Sequence, residues 1–185
     1  MAILLIEGVD KVGKTTLIND LKQLFPSAKV YKNNIKPEDK RETTIGRTTG
    51  IYLGFYQIAI ANPEEVIIFD RSHITELIYA YRRGYNPLTY FNWFNYEKKV
   101  LLGSTVIIYL SAPIQVITRR FKEDNETYIS KEEIQPIVSG YELYLRKTSL
   151  PKIKLSSLDL RSDNIKKVFN GLEVLHKYGQ LKNKP

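Results

Sequence analysis

Eight residues near the start of the chain have the types and the spacing of a phosphate-binding loop. Gly8 to Thr15 match the pattern G-x-x-x-x-G-K-[ST] at every fixed position. The two glycines let successive backbone N–H groups turn towards a phosphate, and a helix that begins near Lys14 adds the positive end of its dipole. In such a loop Lys14 reaches the β- and γ-phosphates of a nucleotide, and the Thr15 hydroxyl can be a ligand of Mg²⁺. The residues predicted to hold the donor nucleotide are Gly8, Val9, Asp10, Lys11, Val12, Gly13, Lys14, Thr15 and Thr16.

A second polar pair follows a later apolar run. Residues 66–69, VIIF, are typical of a buried strand, and Asp70 and Arg71 come directly after them. Open α/β sheets bind ligands at the carboxyl ends of their strands, so we expect this pair to share the site of the loop. A carboxylate beside an arginine suits a site that holds Mg²⁺ and a second phosphate together. The chain has no N-K-x-D motif and no second acid after Asp70, which favours a kinase over a guanine-nucleotide switch or an AAA-type ATPase.

The elements that would position these residues alternate between strands and helices. Short apolar runs predict strands at residues 2–6, 28–31, 66–69, 105–110 and 152–155. Helical spacing predicts helices at residues 15–24, 43–61, 74–81, 88–102, 130–147 and 165–178, and another that ends near residue 122. The helix at residues 88–102 is rich in aromatic side chains, which we expect to pack in the core. Residues 32–41 are predicted to be a loop. This alternation predicts an α/β chain of the P-loop NTPase fold, with a five-stranded parallel sheet covered by helices on both faces.

Composition narrows the class of protein. The 185 residues are 43% apolar and contain no cysteine, which excludes disulfides and thiolate metal sites. His73 and His176 have no partner at metal-ligand spacing, so we expect both to be structural. No apolar run reaches the roughly 18–20 residues that span a bilayer, and the start of the chain leaves no room for a signal peptide. We therefore expect a soluble, cytoplasmic protein (host cytoplasm if viral), with no membrane partner.

The net charge of +8 fits two kinds of partner, nucleic acids and small polyanions such as nucleotides. The basic residues are spread along the chain without a basic tail or stripe. We therefore expect nucleotide substrates and no nucleic acid.

With these residues in view, the chain resembles the thymidylate kinase and deoxynucleoside kinase group of P-loop enzymes. Residues 7–16, EGVDKVGKTT, are similar to the thymidylate kinase loop E-G-x-D-x-x-G-K-[ST]-T. Asp70-Arg71-Ser72 with Thr75 is similar to that family's D-R-Y-x-x-S, whereas a [DE]-R-S triplet is what deoxynucleoside kinases carry. Residues 109–113, YLSAP, and the arginines that follow them resemble the order of strand, proline and lid arginine in both branches.

The resemblance implies ATP as the donor, Mg²⁺ as the metal and a role for each matching residue. Lys14 and Thr15 would contact the donor phosphates and the metal. Asp10 would contact the sugar 3′-hydroxyl or nearby acceptor groups. Asp70 would hold the metal through water, and Arg71 would bind the acceptor phosphate.

The same resemblance implies a lid and a dimer. Arg119, Arg120 or both would close over the transferring phosphoryl group, in a lid at about residues 119–129 of a single kinase domain that spans residues 1–185. Arg47 lies near the place where thymidylate kinases carry an arginine that contacts phosphate or base. A homodimer is expected, with the aromatic residues 90–96 as one candidate surface.

One region departs from both branches and leaves the function open. Residues 31–38, YKNNIKPE, stand where thymidylate kinases carry R-E-P-G-G. Pro37-Glu38 also reverses the Glu-Pro pair of deoxynucleoside kinases, in which the Glu acts as base. The leading hypothesis is a nucleoside monophosphate kinase that forms dTDP from ATP and dTMP. The alternatives are a deoxynucleoside kinase that phosphorylates a 5′-hydroxyl, and a nucleotide-binding regulator or nucleic-acid-associated protein that uses the loop as a switch. Asp10 favours the first, and Ser72 favours the second.

Overall fold

A single parallel sheet organises the chain. The computed structural model describes residues 2–32, 43–82, 91–124 and 131–182. Its strands are β1 (Ala2–Glu7), β2 (Lys29–Lys32), β3 (Val66–Asp70), β4 (Thr105–Ser111) and β5 (Lys152–Ser156). They pair in the order β2-β3-β1-β4-β5, and every pairing is parallel. The strand that leads into the phosphate loop therefore lies at the centre of the sheet, next to the strand that ends in Asp70.

Helices connect the strands. They are α1 (Lys14–Leu24), α2 (Thr43–Ala61), α3 (His73–Arg82), α4 (Trp93–Tyr96), a π-helical turn (Glu97–Leu101), α5 (Ile114–Glu123), α6 (Lys131–Lys147) and α7 (Arg161–Lys182). Three predictions are wrong in detail: α7 begins at Arg161 rather than at residue 165, and two other stretches differ from their predicted structure. Lys32 belongs to β2 rather than to a loop, and the aromatic-rich stretch is a short α-turn followed by a π-turn rather than one helix over its described part. No helix within the described ranges combines the length and the apolar character that crossing a bilayer requires.

The central strand alternates between two hydrophobic clusters. Ile3 and Leu5 point into a cluster that includes residues of α2, α3, α5 and α6, whereas Leu4 and Ile6 point into one formed with α1 and α7. All four side chains are fully buried. A strand that is buried on both faces reads as a continuous apolar run, as this one does. The prediction of helices on both faces of the sheet is thus confirmed.

The aromatic residues after α3 belong to the first of these clusters. Trp93 is buried and stacks on His73 with ring centroids 4.3 Å apart. Phe91, Phe94 and Tyr96 are partly buried against the same cluster. Trp93 is thus packed inside this protein and cannot contribute to the dimer surface considered for residues 90–96.

Candidate active site

The phosphate loop connects β1 to α1 through two glycines with positive φ. Gly8 has φ of 144° and Gly13 has φ of 105°. A Cβ atom on Gly8 would lie 2.3 Å from the backbone carbonyl oxygen of Leu110, so β4 leaves room for glycine alone at this position. Lys11, at the tip of the loop, also has a positive φ of 63°, a backbone conformation that residues other than glycine rarely adopt. The surrounding structure therefore fixes the shape of the loop.

Lys14 turns back into the loop that precedes it. Its side chain is 7% exposed, and its Nζ donates to the carbonyl oxygens of Gly8 and Val9 at 2.9 and 2.8 Å. Burial lowers the pKa of Lys14 from 10.5 to about 8, against the opposing influence of the nearby carboxylates Glu7 and Asp70. The ammonium is thus poorly solvated and can gain strongly from an anion in the loop.

Arg71 reaches the same loop from the end of β3. Its guanidinium forms an ion pair with Asp10, whose other carboxylate oxygen accepts a hydrogen bond of 3.2 Å from the Tyr79 hydroxyl. Arg71 has φ of 72°, which is unusual for a residue with a side chain and is typical of strained functional sites. Asp10 Oδ1 also lies 4.0 Å from Lys14 Nζ. One carboxylate therefore links the loop lysine to the arginine that the resemblance assigns to the acceptor.

Asp70 is paired with a lysine that the sequence analysis placed in a loop. Lys32 is the last residue of β2, and the register of the sheet sets it opposite Asp70. Lys32 Nζ lies 3.0 Å from Asp70 Oδ2. A lysine that follows a strand is usually solvated, so only the strand register identifies Lys32 as a site residue.

The two arginines of the predicted lid both belong to α5 and point in different directions, while residues 125–129 of that lid lie outside the described residues. Arg120 donates to the carbonyl oxygens of Lys11 and Val12 at 3.0 and 3.3 Å and to the Ser157 hydroxyl at 3.3 Å. Arg119 is 69% exposed and lies 3.6 Å from Glu123 on the same helix. The structure thus places Arg120 on the phosphate loop and Arg119 on the outer face of α5.

Of the remaining predicted site residues, some line the cavity above the loop and others do not. Thr15 and Thr16 line the cavity above the loop, with exposed side chains at the start of α1. Arg47 is an exposed residue of α2 and is not among the residues that line the cavity. Pro37 and Glu38, which the comparison with the nucleoside kinases singled out, fall outside the described residues.

A cavity of about 650 Å³ unites the loop with these side chains. It is lined from the predicted set by Asp10, Lys11, Val12, Gly13, Lys14, Thr15, Thr16, Asp70, Arg71 and Arg120. Sequence reasoning missed other lining residues: Asp20, Lys32, Ser157, Asp159, Arg161 and Asn164. Four of those six follow β5, and a polar stretch at the carboxyl end of a fifth strand is the signal that could have found them.

A magnesium ion would have few protein ligands in this cavity. The described residues include no group of three or more His, Cys, Asp or Glu side chains that could hold a metal. Thr15 and Asp70 both line the cavity, and a hydroxyl with one carboxylate fits the preference of Mg²⁺ for one or two protein ligands completed by water and substrate phosphates. The site thus fits a metal that arrives with a nucleotide.

His73 lies in a buried polar network below the Asp70-Arg71 turn. Its Nδ1 is 2.6 Å from the Tyr56 hydroxyl, and its Nε2 is 3.1 Å from Glu97 Oε1. Tyr144 also donates to Glu97, at 2.7 Å. All four side chains are buried, so the described contacts of His73 are those of a structural residue.

Solved structures of other proteins share this architecture. No protein-family model and no curated protein matches the chain. Among solved structures, the YorR protein of Bacillus subtilis in complex with phosphorylated GDP has a TM-score of 0.69 at 19% identity, covering 96% of this chain and 98% of its own. The fold is the P-loop NTPase fold, with a five-stranded parallel sheet. Deoxyadenosine kinase from M. mycoides with the product dCMP and a flexible dCDP bound has a TM-score of 0.62 at 18% identity, covering 94% and 100%.

Proposed function

We propose that the protein is a nucleoside monophosphate kinase, which transfers the γ-phosphoryl group of ATP to dTMP or a related deoxynucleoside monophosphate. One observation carries this proposal. A single cavity brings the loop lysine, Lys14, together with two further cations, Arg71 and Lys32, that approach from the ends of neighbouring strands. Phosphoryl transfer requires mainly the positioning of two phosphates and the neutralisation of their charge, which such a set of cations supplies.

The donor side uses the loop and α5. Lys14 and the loop N–H groups hold the donor phosphates, and Arg120 is already anchored where α5 meets the loop. Bound Mg²⁺ supplies further charge neutralisation at the donor phosphates. Thr15 and Asp70 would hold it, the latter through water. Donor binding must draw Lys14 away from the carbonyls of Gly8 and Val9, since its ammonium is the group that meets the phosphates.

The acceptor side favours a phosphate over a hydroxyl. Arg71 offers a bidentate guanidinium, and Lys32 adds a second cation to the same cavity, which together suit a phosphate dianion. A nucleoside kinase instead needs a carboxylate free to accept the proton of a 5′-hydroxyl. Each described carboxylate that lines the cavity is paired with a cation: Asp10 with Arg71, Asp70 with Lys32, Asp20 with Arg161 and Asp159 with Lys167.

A deoxynucleoside kinase is the second candidate function. Two observations favour it: Ser72 completes a D-R-S triplet of the deoxynucleoside kinase type, and the fold is shared with a protein described as a deoxyadenosine kinase. A nucleotide-dependent regulator is less well supported, because the cations converge on one cavity rather than lying along a basic groove.

Kinetics of the Arg71→Ala variant separate the two enzymes. If the acceptor is a monophosphate, Arg71 binds a dianion already present before transfer, so the acceptor KM should rise at least ~30-fold while kcat also falls. If the acceptor is a nucleoside, the loss should fall mainly on kcat. Arg146→Ala is the matched control, since Arg146 is an exposed arginine of α6 that does not line the cavity. An unchanged acceptor KM in Arg71→Ala would refute the monophosphate kinase in favour of the nucleoside kinase.

A further inference from the structure

Glu7 fastens the phosphate loop to the turn that carries Arg71. It is the last residue of β1 and is fully buried. Its Oε1 accepts hydrogen bonds from the backbone N–H of Ser72 at 2.8 Å and from the Ser72 hydroxyl at 2.5 Å. Its Oε2 accepts a third bond, of 2.6 Å, from the Thr75 hydroxyl. One carboxylate thus joins the residue before the loop to the start of α3.

The turn that Glu7 holds is the strained one. Arg71 has φ of 72°, and its backbone N–H donates to the carbonyl oxygen of Ile6 at 3.1 Å. Successive residues of β1, Ile6 and Glu7, therefore hold successive residues of the turn, Arg71 and Ser72. A left-handed conformation in a residue with a side chain persists only where its surroundings over-determine it. These bonds meet that requirement.

A tyrosine of α6 also connects the start of α3 to the phosphate loop. The Tyr141 hydroxyl lies 2.8 Å from the Thr75 hydroxyl and 3.3 Å from the carbonyl oxygen of Gly8. Burial raises the pKa of Tyr141 well above its ordinary value, so this hydroxyl keeps its proton and can act as a donor. Glu7, Thr75, Tyr141 and Gly8 thus form a closed ring of contacts between α3, α6 and the first residue of the loop.

The chemistry of Glu7 indicates more than a packing role. An apolar side chain would fill a buried position without the desolvation penalty of a carboxylate, which is large unless donors surround it. The three donors to Glu7 come from the Arg71 turn and the start of α3. The carboxylate therefore has the partners expected of a group that holds two active-site segments in register.

We propose that Glu7 is a positioning residue, which sets the spacing between the donor phosphates on the loop and the acceptor phosphate on Arg71. The inference rests on the proposed kinase function, because it assigns the two segments to the two substrates. Glu7 touches neither substrate in this account. It acts through Ser72 and Thr75, and a change at Glu7 should therefore alter the alignment of bound substrates more than the binding of either one.

Glu7→Gln tests this proposal with the smallest change of shape. The carboxamide nitrogen can only donate, so the hydroxyl or N–H that it faces must either turn round to accept or lose its partner, and the remaining bonds lose the negative charge that strengthens them. A displacement on the order of 1 Å between reacting groups lowers kcat by about 100-fold. We expect kcat to fall ~10- to 100-fold while the KM of each nucleotide changes less than about threefold.

A bisubstrate ligand measures the spacing directly. Adenosine and thymidine joined through five phosphates occupy both subsites at a fixed separation, whereas a non-hydrolysable ATP analogue and dTMP occupy one subsite each. By calorimetry, Glu7→Gln should weaken the linked ligand at least ~10-fold more than the product of its effects on the two separate ligands. A loss no greater than that product would overturn the positioning role.

Two further variants keep the test informative if Glu7→Gln folds poorly. Thr75→Val removes one donor and leaves the carboxylate, and it should lower kcat in the same direction, whereas Thr75→Ser retains the hydroxyl and should restore it. Glu97→Gln is the control for losing a buried carboxylate, because Glu97 is equally buried but bonds to His73, Tyr144 and Thr148. An equal fall of kcat in Glu97→Gln would indicate general loosening of the core and would overturn the proposal.

The outcome also separates this inference from the proposed function. If the wild-type protein transfers phosphoryl groups to a monophosphate and Glu7→Gln matches its kcat, the positioning role fails and the function stands. If the folded wild-type protein phosphorylates no monophosphate and does not bind the linked ligand, the proposed function fails, and the positioning role fails with it.

Discussion

In the proposed kinase, the charge of one buried lysine controls donor binding. Lys14 donates to two carbonyl oxygens of its own loop and is almost without contact with water. Its pKa, lowered by burial to about 8, lies close to physiological pH. A phosphate in the loop would stabilise the protonated form, so donor binding and the protonation of Lys14 are linked.

This linkage predicts how donor affinity depends on pH. Above pH 8 the free protein loses the proton on Lys14, and the affinity for a non-hydrolysable ATP analogue should fall by up to about tenfold per pH unit. In Lys14→Arg the guanidinium stays charged, so the fall should vanish even if affinity at pH 7.5 is lower. Calorimetric titrations from pH 7.5 to 9.5 measure both proteins. An affinity that is independent of pH in the wild type would contradict the account.

The lowered pKa of Lys14 also determines how its contribution to the free energy of unfolding changes with pH. The pKa of Lys14 is 10.5 in the unfolded reference and about 8 in the folded protein. The unfolded chain therefore binds more protons between these values, and the contribution of Lys14 to the free energy of unfolding rises with pH across that window. Lys14 thus opposes folding at neutral pH, which is the cost expected of a buried lysine at the proposed phosphate site.

The sequence predicts a functional residue where a motif specifies its type and spacing. It does not do so where the role depends on the three-dimensional direction of the side chain. The loop pattern identifies Lys14 from residue types and spacing alone, and the end of an apolar run identifies Arg71 in the same way. Arg119 and Arg120 could not be separated by sequence, because neighbours on a helix point about 100° apart and the phase of α5 was unknown. The loop motif includes Glu7 but predicts no role for it, since its partners lie 65 and 68 positions away in the sequence.

At the scale of elements, the contact between the phosphate loop and β4 limits what the loop can tolerate. Gly8 approaches the backbone of Leu110 so closely that no Cβ fits. Gly103, in the turn before β4, also has a positive φ, of 102°, but has no atom within 4 Å of where a Cβ would stand. The two positions share a backbone requirement and differ in the space around them.

This pair gives a stability prediction with an internal control. Gly103→Ala should cost about 1–2 kcal/mol, the usual penalty of a left-handed residue with a side chain. Gly8→Ala should cost more, because its Cβ would also have to displace the backbone of β4. It should also abolish stabilisation by ATP in thermal unfolding, which Gly103→Ala should retain. Equal destabilisation of the two variants would show that the close approach to Leu110 does not matter.

The predicted bounds of helices and strands agree with the structure where the sequence pattern is long or wholly apolar. The bounds predicted for α2, residues 43–61, agree with the structure, and all five strands were found within two residues at either end. The aromatic stretch was wrong because Trp93 and its neighbours are arranged by ring contacts with distant elements, which override helical spacing. The start of α7, at Arg161 rather than residue 165, was missed because its first turn is polar.

At the scale of the whole molecule, strand order creates the site. The order β2-β3-β1-β4-β5 places the ends of β2, β3 and β1 side by side, so Lys32, Arg71 and the loop share one cavity. Alternation of strands and helices predicted a parallel sheet, but strand order is set by which apolar faces pack together and could not be read from local pattern. The homodimer implied by the resemblance stays a prediction.

The identity of the phosphoryl acceptor tests the central claim most directly. Purified protein would be incubated with ATP and Mg²⁺ and, in parallel, with each deoxynucleoside monophosphate or each deoxynucleoside, and products would be resolved by phosphorus NMR. The account predicts ADP and a deoxynucleoside diphosphate, with dTMP as the preferred acceptor and a kcat/KM at least ~100-fold above that of thymidine, because only the monophosphate engages Arg71 and Lys32 before transfer. Formation of a monophosphate from a deoxynucleoside, with every monophosphate inert as an acceptor, would contradict it.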